Sequence, residues 1–558
     1  MRATHLAAAV ALALFGAAAA DGGASATAPE RILVGDAAAR CDWELIPFET
    51  VDGIKGKMAH VVKTAPPGLK VEIPLRAKGR HRIWIGAVAK RWGSYTMFVK
   101  LARERYPVRM MVDFQVDGVP PENPMIGELE FGVFDLDNDT LVVANDVGCP
   151  GGIAWVRLEP VAEHPVVPKG IGMVSTNDSF WRYLNRDEYF AHFRLFAGSP
   201  VKKILFGAVT GENALPVRIA SAVNAEYDPS FPYPSDVHER IMKACARLAA
   251  ENPRLLEETA EYVHSLGMEI HAYFRPGAAV NLFRFWSAEG DAERGGAGKG
   301  VMYAPENLCR LWSGTAVGRP SYARREVRDF VLRNCAEILG RGFDGISFAF
   351  TRALPTTLFE PAFRERFKLE YGEELKDQDD PRVIELRCAI TGEFLAEVKK
   401  LLGRRGLSLI VLCSVERNRE FGVDVAALAK AGTVDEFIVD GEDFRLPRKI
   451  TVEKMDFESF RRATEGTKAR VRPQFTHWWD GLSPENFRKA VDAGLAPACL
   501  WDGSFTPWQD WERIRRIDGG DLSAAERWAT EHPDSWRVHR LKTLNNFDVL
   551  EHPWWLAF

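Results

Sequence analysis

Three carboxylates follow strand-like runs in the second half of the sequence, where a side chain would be available for acid–base chemistry. They are Glu416, Asp440 and Asp502. Two carboxyl groups that flank one bond can divide the roles of general acid and of base or nucleophile. Arg417 and Arg419 flank Glu416, and nearby positive charge lowers a carboxyl pKa, which favours a base or nucleophile over an acid. We therefore predict catalysis by Glu416 with Asp440 or Asp502. The alternative for each is a helix cap, a rim ion pair or an exposed loop acid.

Polar and aromatic side chains lie on or just beyond the ends of the same kind of run. Indole faces suit the C–H faces of sugars, while carboxylates, amides and guanidinium groups bind hydroxyls. These residues are therefore predicted to bind substrate. Packing of strand ends against loops is the alternative for the aromatic residues, and His271 also fits an ordinary core histidine. The set comprises Asn177, Asp178, Glu212, His271, Tyr273, Arg275, Arg352, Gln474, His477, Trp478, Trp479 and Trp501.

Eight strand-like runs position these residues, and amphipathic runs alternate with them. This alternation is typical of parallel βα units and predicts an α/β (β/α)₈ TIM barrel over 170–518, whose sites lie at the carboxyl ends of the strands. A doubly wound sheet is the rival, but no GxGxxG or GxxxxGKS turn follows the first run. The eight runs are 171–176, 202–209, 268–274, 344–350, 407–414, 435–440, 468–475 and 496–502.

Residues 30–165 have a different pattern, with short β-branched or aromatic runs separated by turns such as "DLDND" and "GCPGG". Such spacing predicts an all-β sandwich domain before the barrel. The sandwich either binds carbohydrate or only packs against its neighbour. Residues 519–558 are predicted to form a helical tail. The six strand-like runs are 81–90, 95–102, 109–118, 127–136, 140–147 and 152–161.

The first residues combine a short basic start with an apolar, Ala-rich run. This predicts a signal peptide over 1–20, with cleavage as late as residue 26. We expect the mature protein to be secreted or periplasmic and to have no transmembrane segment. An uncleaved amino-terminal anchor is the alternative.

Composition excludes several classes of function. The formal charge of −5 gives no basic footprint for nucleic acid. The sequence lacks HExxH and a GxSxG elbow, and "HWWD" offers too few ligands for a metal site. We expect no cofactor and no metal.

Several segments in their order along the chain resemble the secreted glycoside-hydrolase-like TIM-barrel proteins, in which a β-sandwich precedes the barrel. The matching segments run along almost the whole of 170–505. The resemblance implies a carbohydrate-related barrel without naming a substrate. The segments are "VSTNDSFWRYL", "MEIHAYFRPG", "PSYARREVRDFVLRNCAEILGRGFDGISFAFTRALP", "FEPAFRERFKLEYG", "ERNREFGVDVAALAKAGTVDEFIV" and "ACLWDG".

The fourth barrel strand departs from the pattern of these proteins. They often read Asp-Gly-Ile-Asp-Leu-Asp-Phe-x-Arg there, whereas this chain has Ser347 and Ala349 in place of the second and third acids. Asp344 is kept, but it begins the strand and is expected to be structural. Hydrolysis of an oligo- or polysaccharide by other carboxylates is therefore the preferred function. A non-catalytic carbohydrate-binding barrel is the alternative, and a purely structural cell-surface protein is the third.

Overall fold

The strands and helices below come from a computed structural model, and some of its residues, including 173–177 and 538–540, are described by backbone alone. The described residues are 30–89, 95–112, 125–146, 148–162, 173–177, 185–207, 243, 247, 248, 250–276, 304–351, 355–440, 455–475, 494, 495, 498–501, 503, 506, 508–516 and 538–541.

Two antiparallel sheets contain all the strands that the structure describes before residue 162. One has the order β22-β9-β6-β11-β4-β3, with β1 also on β11, and the other has the order β2-β5-β10-β7-β8. The strands are β1 (Glu30–Leu33), β2 (Arg40–Cys41), β3 (Glu44–Glu49), β4 (Lys55–Val61), β5 (Lys70–Pro74), β6 (Lys78–Ala89), β7 (Tyr95–Leu101), β8 (Val108–Val112), β9 (Met125–Asp137), β10 (Thr140–Asn145), β11 (Gly151–Pro160) and, far along the chain, β22 (Val538–Arg540).

Alternating burial shows how these sheets form a core. Every second residue of β10 is buried, namely Leu141, Val143 and Asn145, as expected for a strand with one face on the core. The tryptophans at 43, 84 and 155 are buried too. None of these three therefore offers an exposed flat face to a sugar.

Between residues 173 and 500, eight described parallel strands close into a ring. The first of them pairs with both the second and the last, so the strand order is circular. An open doubly wound sheet has two unpaired edges, which this ring lacks along the described strands. In order they are β12 (Met173–Asn177), β13 (Val201–Phe206), β14 (Glu269–Phe274), β17 (Gly345–Ala349), β18 (Gly406–Val411), β19 (Glu436–Val439), β20 (Arg470–Phe475) and β21 (Cys499–Leu500), and the hairpin β15 (Leu308–Arg310) and β16 (Ala316–Pro320) follows β14.

Helices in the described chain lie mostly between the parallel strands, and local capping sets several of their ends. Ser414 and Asp424 each accept a hydrogen bond from a backbone N–H three residues on, which satisfies a first-turn donor. Gly372 ends another helix in the left-handed region, at φ 76°. The helices are α1 (Val34–Ala37), α2 (Arg186–Arg194), α3 (Leu255–Ser265), a 3₁₀ turn at Pro305–Asn307, α4 (Arg325–Gly340), α5 (Pro361–Tyr371), α6 (Arg382–Leu402), α7 (Val415–Glu420), α8 (Val425–Lys430), α9 (Phe457–Thr464) and α10 (Trp508–Ile514). None that the structure describes is long and apolar enough to cross a membrane.

Two segments late in the chain contact the antiparallel sheet that contains β9. The indole N–H of Trp508 donates to the carbonyl of Glu130 (2.7 Å), and Arg516 pairs with the Glu130 carboxylate at 2.9 Å. Farther on, β22 pairs antiparallel with the start of β9. Within the predicted helical tail (519–558), only residues 538–541 are described, and those residues form a strand and a bridge rather than a helix.

Candidate functional site inside the parallel strand ring

A small apolar cluster identifies the interior of the ring. Its members come from six of the eight parallel strands or the residue just after one, and they form a cluster separate from the main core. Side chains from strands all around a ring meet only inside it, so this cluster lines the lumen. The members are Leu205, Tyr273, Ala349, Ile410, Ile438, Cys499 and Trp501.

Strand alternation extends this lumen face to polar residues. Residues two apart on a strand share a face, so His271 and Arg275 flank Tyr273 on the lumen side of β14. By the same rule Ser347 lies below Ala349. In parallel eight-stranded rings the inward side chains form layers drawn from alternate strands. The cluster and its neighbours therefore divide into a lower layer, near the amino ends of the strands, and an upper layer near their carboxyl ends.

The lower layer is an ion-paired network centred on Glu436, which is 3% exposed. Lys203 Nζ lies 3.3 Å from Glu436 Oε2, and the Ser408 hydroxyl donates to the same oxygen at 3.1 Å. The Arg472 guanidinium pairs with the other carboxylate oxygen. Burial by itself raises the pKa of Glu436, but the charges of Lys203 and Arg472 outweigh it and lower that pKa to about 2. The carboxylate is thus held ionised by its neighbours.

His271 belongs to this lower layer. Its ring lies against two glycine backbones: a Cβ at Gly345 would be 2.5 Å from His271 Cε1, and one at Gly406 would be 2.8 Å from the same atom. Burial lowers its pKa, and Nε2 lies 3.7 Å from an oxygen of Glu269. The sequence predicts His271 as a substrate-binding residue, and the structure places it deep in the lumen on the ionic layer.

The upper layer is aromatic, and Arg275 adds a guanidinium to it. Arg275 Nε donates to the Tyr273 hydroxyl at 3.1 Å, and the guanidinium carbon lies 5.7 Å from the ring centroids of both Tyr273 and Trp501. The two rings meet edge to face, with centroids 6.1 Å apart. All three side chains are buried. The positive charge therefore lies against aromatic faces, where it is attracted by the ring quadrupoles.

Asp440 contributes a carboxylate at the carboxyl end of the ring. It directly follows β19, its backbone N–H donates to Val411 O at 2.8 Å, and it is buried. Ile438 lies in the lumen cluster, so alternation places Asp440 on the lumen face, in the layer to which Trp501 also belongs. Of the two predicted catalytic carboxylates that the structure describes, Asp440 and Glu416, Asp440 lies at this end of the lumen.

Glu416 lies on the short helix α7 and is exposed. The ion pairs of its neighbours lead elsewhere: Arg417 pairs with Glu420 at 3.1 Å and Arg419 with Glu385 at 2.6 Å. Asn418, two residues farther along α7, is buried and holds the turn by donating to Leu412 O and Ser414 O. The structure thus separates Glu416, on an exposed helix, from the buried lumen side chains.

Two further lumen side chains are buried and polar. Gln474 faces the lumen because its strand partner is Cys499, a member of the apolar cluster. Ser347 does so because it pairs with Tyr273. The amide oxygen and nitrogen of Gln474 have no hydrogen-bond partner, and the Ser347 hydroxyl has none either. Sequence reasoning found Gln474 but passed over Ser347, although two-residue alternation from Ala349 would have placed it inside.

The hairpin β15–β16 follows the third strand of the ring and is anchored to the segment after the fourth. Buried Glu360 accepts hydrogen bonds from the Ser321 hydroxyl and from the backbone N–H of Leu358 at 3.0 Å. The guanidinium of Arg364 lies 4.1 Å from the ring centroid of Trp312. Within residues 275–325, the described stretch 304–325 contains this anchored hairpin.

Several predicted site residues lie outside the described residues, so their placement stays a prediction. Asn177 is the last residue of β12 and is described by its backbone alone. The residues outside the described set are Asp178, Glu212, Arg352, His477, Trp478, Trp479 and Asp502.

At the amino end of the fourth strand, Asp344 accepts hydrogen bonds from His264 Nε2 and from the backbone N–H of Ile270, which matches the expected structural role.

Comparison with known proteins gives a weak signal. No family model matches the chain, and no curated protein matches it. Among solved structures it is similar to a GH26-CBM35 β-(1,4)-mannanase from Podospora anserina, at 10% identity and a TM-score of 0.30, covering 90% of this chain and 98% of that one. It is also similar to an α-galactosidase from Thermus thermophilus, at 13% identity and 0.33, covering 85% and 94%. The glycoside hydrolase domain of PelA from Pseudomonas aeruginosa gives 14% and 0.30, covering 60% and 96%. Scores this low carry no conclusion about substrate or mechanism.

Proposed function

We propose that this protein is a glycoside-hydrolase-like (β/α)₈ barrel that binds an oligo- or polysaccharide at the carboxyl end of its lumen and hydrolyses a glycosidic bond there. The observation that carries the proposal is the position of Asp440. It is a buried carboxylate at the end of a parallel strand, on the lumen face that also holds Tyr273, Arg275 and Trp501. Barrel enzymes carry their chemistry at this end.

The proposed chemistry needs a second carboxyl group. One of the pair protonates the departing oxygen, and the other acts as nucleophile or activates water; their separation decides between retention and inversion. Asp502 comes at the carboxyl end of the eighth strand, directly after Trp501, and Glu416 follows the fifth strand. Asp502 is the preferred partner, since Glu416 is exposed on α7.

Binding without hydrolysis is the second candidate, and one observation favours it. Ser347 and Ala349, which stand where similar barrels often carry acids, both lie inside the lumen and are fully buried. The fourth strand therefore supplies no carboxylate at this site. A barrel of this kind would hold the saccharide through Arg275 and the aromatic residues alone.

The test is release of sugar ends from a broad panel of polysaccharides by the protein starting at Thr27. Asp440→Asn, Asp502→Asn and Glu416→Gln are compared with Glu420→Gln, an exposed carboxylate on the same helix as Glu416. Removing an acid–base group costs about 10²- to 10⁴-fold in rate. We expect that loss for Asp440→Asn and Asp502→Asn, with retained binding, and no loss for Glu420→Gln.

The outcomes separate the candidates. Release that continues at the wild-type rate in Asp440→Asn would refute the assignment of this residue. Binding of one polysaccharide without release of any product would establish the binding-only barrel. Failure of every polysaccharide either to bind or to be cleaved would reject a carbohydrate function and leave the structural role.

A further inference from the structure

The lumen contains polar atoms that the fold itself does not satisfy. Gln474 is 2% exposed and its amide oxygen and nitrogen have no hydrogen-bond partner; Ser347 is 0% exposed and its hydroxyl has none. Buried polar groups in native proteins are nearly always paired with protein, water or ligand. Leaving them unpaired destabilises the fold. Two such residues on one lumen therefore point to an occupant that supplies the missing partners.

Their environment restricts what that occupant can be. Both residues lie above the ionic layer, in which Glu436 is paired with Lys203 and Arg472. The other lumen side chains at their level are apolar, among them Leu205, Ile410 and Ile438. A charged group in such surroundings would be strongly disfavoured, whereas a neutral group that forms hydrogen bonds is tolerated.

The fourth strand has no acidic side chain at Ser347 or Ala349, and this sets the size and charge of the lumen at those positions. Ala349 lies two residues above Ser347 on the same face and ends at its Cβ. Acids at these two positions would fill the space and bring one or two negative charges. With serine and alanine, the same strand offers a small neutral hydroxyl beneath a small apolar side chain. We call Ser347, Ala349 and Gln474 the inner niche.

We propose that the inner niche binds an uncharged hydroxyl group of the saccharide held at the carboxyl end of the lumen. The niche would then select among sugars by the position of that hydroxyl. A hydroxyl both donates and accepts, and the glutamine amide and serine hydroxyl offer the matching acceptors and donors. This inference rests on the proposed carbohydrate function and deepens it. The replaced acids of the fourth strand then determine specificity instead of marking only a loss.

The experiment measures affinity by calorimetry for whichever oligosaccharide the wild-type protein binds best, and for its mono-deoxy derivatives. Gln474→Met removes both polar atoms at nearly constant volume, and Ser347→Ala removes the hydroxyl. Thr96→Val is the matched control, because Thr96 is a buried threonine on β7 whose hydroxyl is also unpaired. Melting temperatures without sugar show that each variant is folded.

We expect Gln474→Met and Ser347→Ala each to weaken binding of the parent sugar by about 3- to 10-fold, the effect of one or two neutral hydrogen bonds. One deoxy derivative should bind the wild type more weakly and be indifferent to Gln474→Met. Thr96→Val should bind like the wild type. Unchanged affinity in both niche variants would show that the niche holds water alone and would overturn the inference while leaving the proposed function intact. If no saccharide binds the wild type, the proposed function fails and the inference fails with it.

Discussion

The central carboxylate at the amino end of the lumen and two polar side chains toward its carboxyl end differ in the partners that the fold supplies, although Nδ1 of His271 at the amino end also has none. At the amino end, Glu436 is in contact with two cations and a hydroxyl. Toward the carboxyl end, the amide of Gln474 and the hydroxyl of Ser347 have no partner. A polar group whose partners are all supplied by the fold is explained by stability, and one without them calls for a ligand or water. The difference separates residues that build the barrel from residues that are available to bind.

The largest effect is expected where the amino-end network is broken. Glu436→Gln leaves Lys203 and Arg472 without a balancing charge, and removing one partner of a buried pair typically costs about 3–5 kcal/mol in the free energy of unfolding. Urea unfolding measures it. Glu420→Gln, which breaks an exposed pair with Arg417, should stay within about 0.5 kcal/mol of the wild type.

The double variant Glu436→Gln/Arg472→Met removes one of the two unbalanced charges. Recovery of stability in this variant, relative to Glu436→Gln alone, would sharpen the result. If Glu436→Gln is as stable as the wild type, the amino-end network is not structural, and the contrast between the two ends of the lumen is lost.

Acidification should act on the same network. The pKa of Glu436 is lowered to about 2 in the folded protein from its ordinary value of 4.5. Its contribution to stability is therefore fully present above about pH 4.5 and is lost as the pH falls toward 2. Other carboxylates also titrate there, so the measurement is the difference between the stability curves of the wild type and Glu436→Gln. That difference should shrink on acidification; a constant difference would contradict the ionised state of Glu436.

A smaller effect is expected where the His271 ring packs against the backbone of Gly345 and Gly406. In Gly345→Ala the new Cβ would lie 2.5 Å from both the carbonyl oxygen of Gly406 and His271 Cε1, so backbone or ring must move. Overpacking of this kind costs about 1–3 kcal/mol. Gly392→Ala in helix α6 is the control, because nothing lies near its Cβ position and alanine favours a helix by up to about 1 kcal/mol. A Gly345→Ala variant as stable as the wild type would show that the histidine is not tightly seated.

Sequence periodicity located the parallel strands well, but it could not show how far along the lumen each inward side chain lies. All eight predicted runs overlap an observed strand; for example, 468–475 became Arg470–Phe475 and 496–502 became Cys499–Leu500. The strands before residue 75 and the strand Val538–Arg540 were missed. β3 and β4 form a local hairpin, but their runs "ELIPFE" and "KGKMAHV" contain few β-branched or aromatic residues. Val538–Arg540 is three residues long and pairs with a segment far away in sequence. Pairing of that kind leaves no local pattern.

The site was predicted less completely, for a related reason. Position after a strand indicated Asp440, Tyr273 and Trp501, whose lumen placement follows from two-residue alternation. The depth of His271 depends on the register between neighbouring strands, which one strand's sequence does not contain. Order along the chain likewise gave Glu416 a position after the fifth strand, but the capped turn at Ser414 then directs it onto an exposed helix.

The pairing of β22 with β9 has a consequence for how the protein is made. The ribosome delivers the antiparallel sheets first, yet one of them receives its edge strand, Val538–Arg540, only after the whole parallel ring has been synthesised. The indole of Trp508, which donates to Glu130 on β9, also arrives late. During translation the edge of β9 is therefore an open template for other strands. That sheet is therefore complete only after the parallel ring has been synthesised.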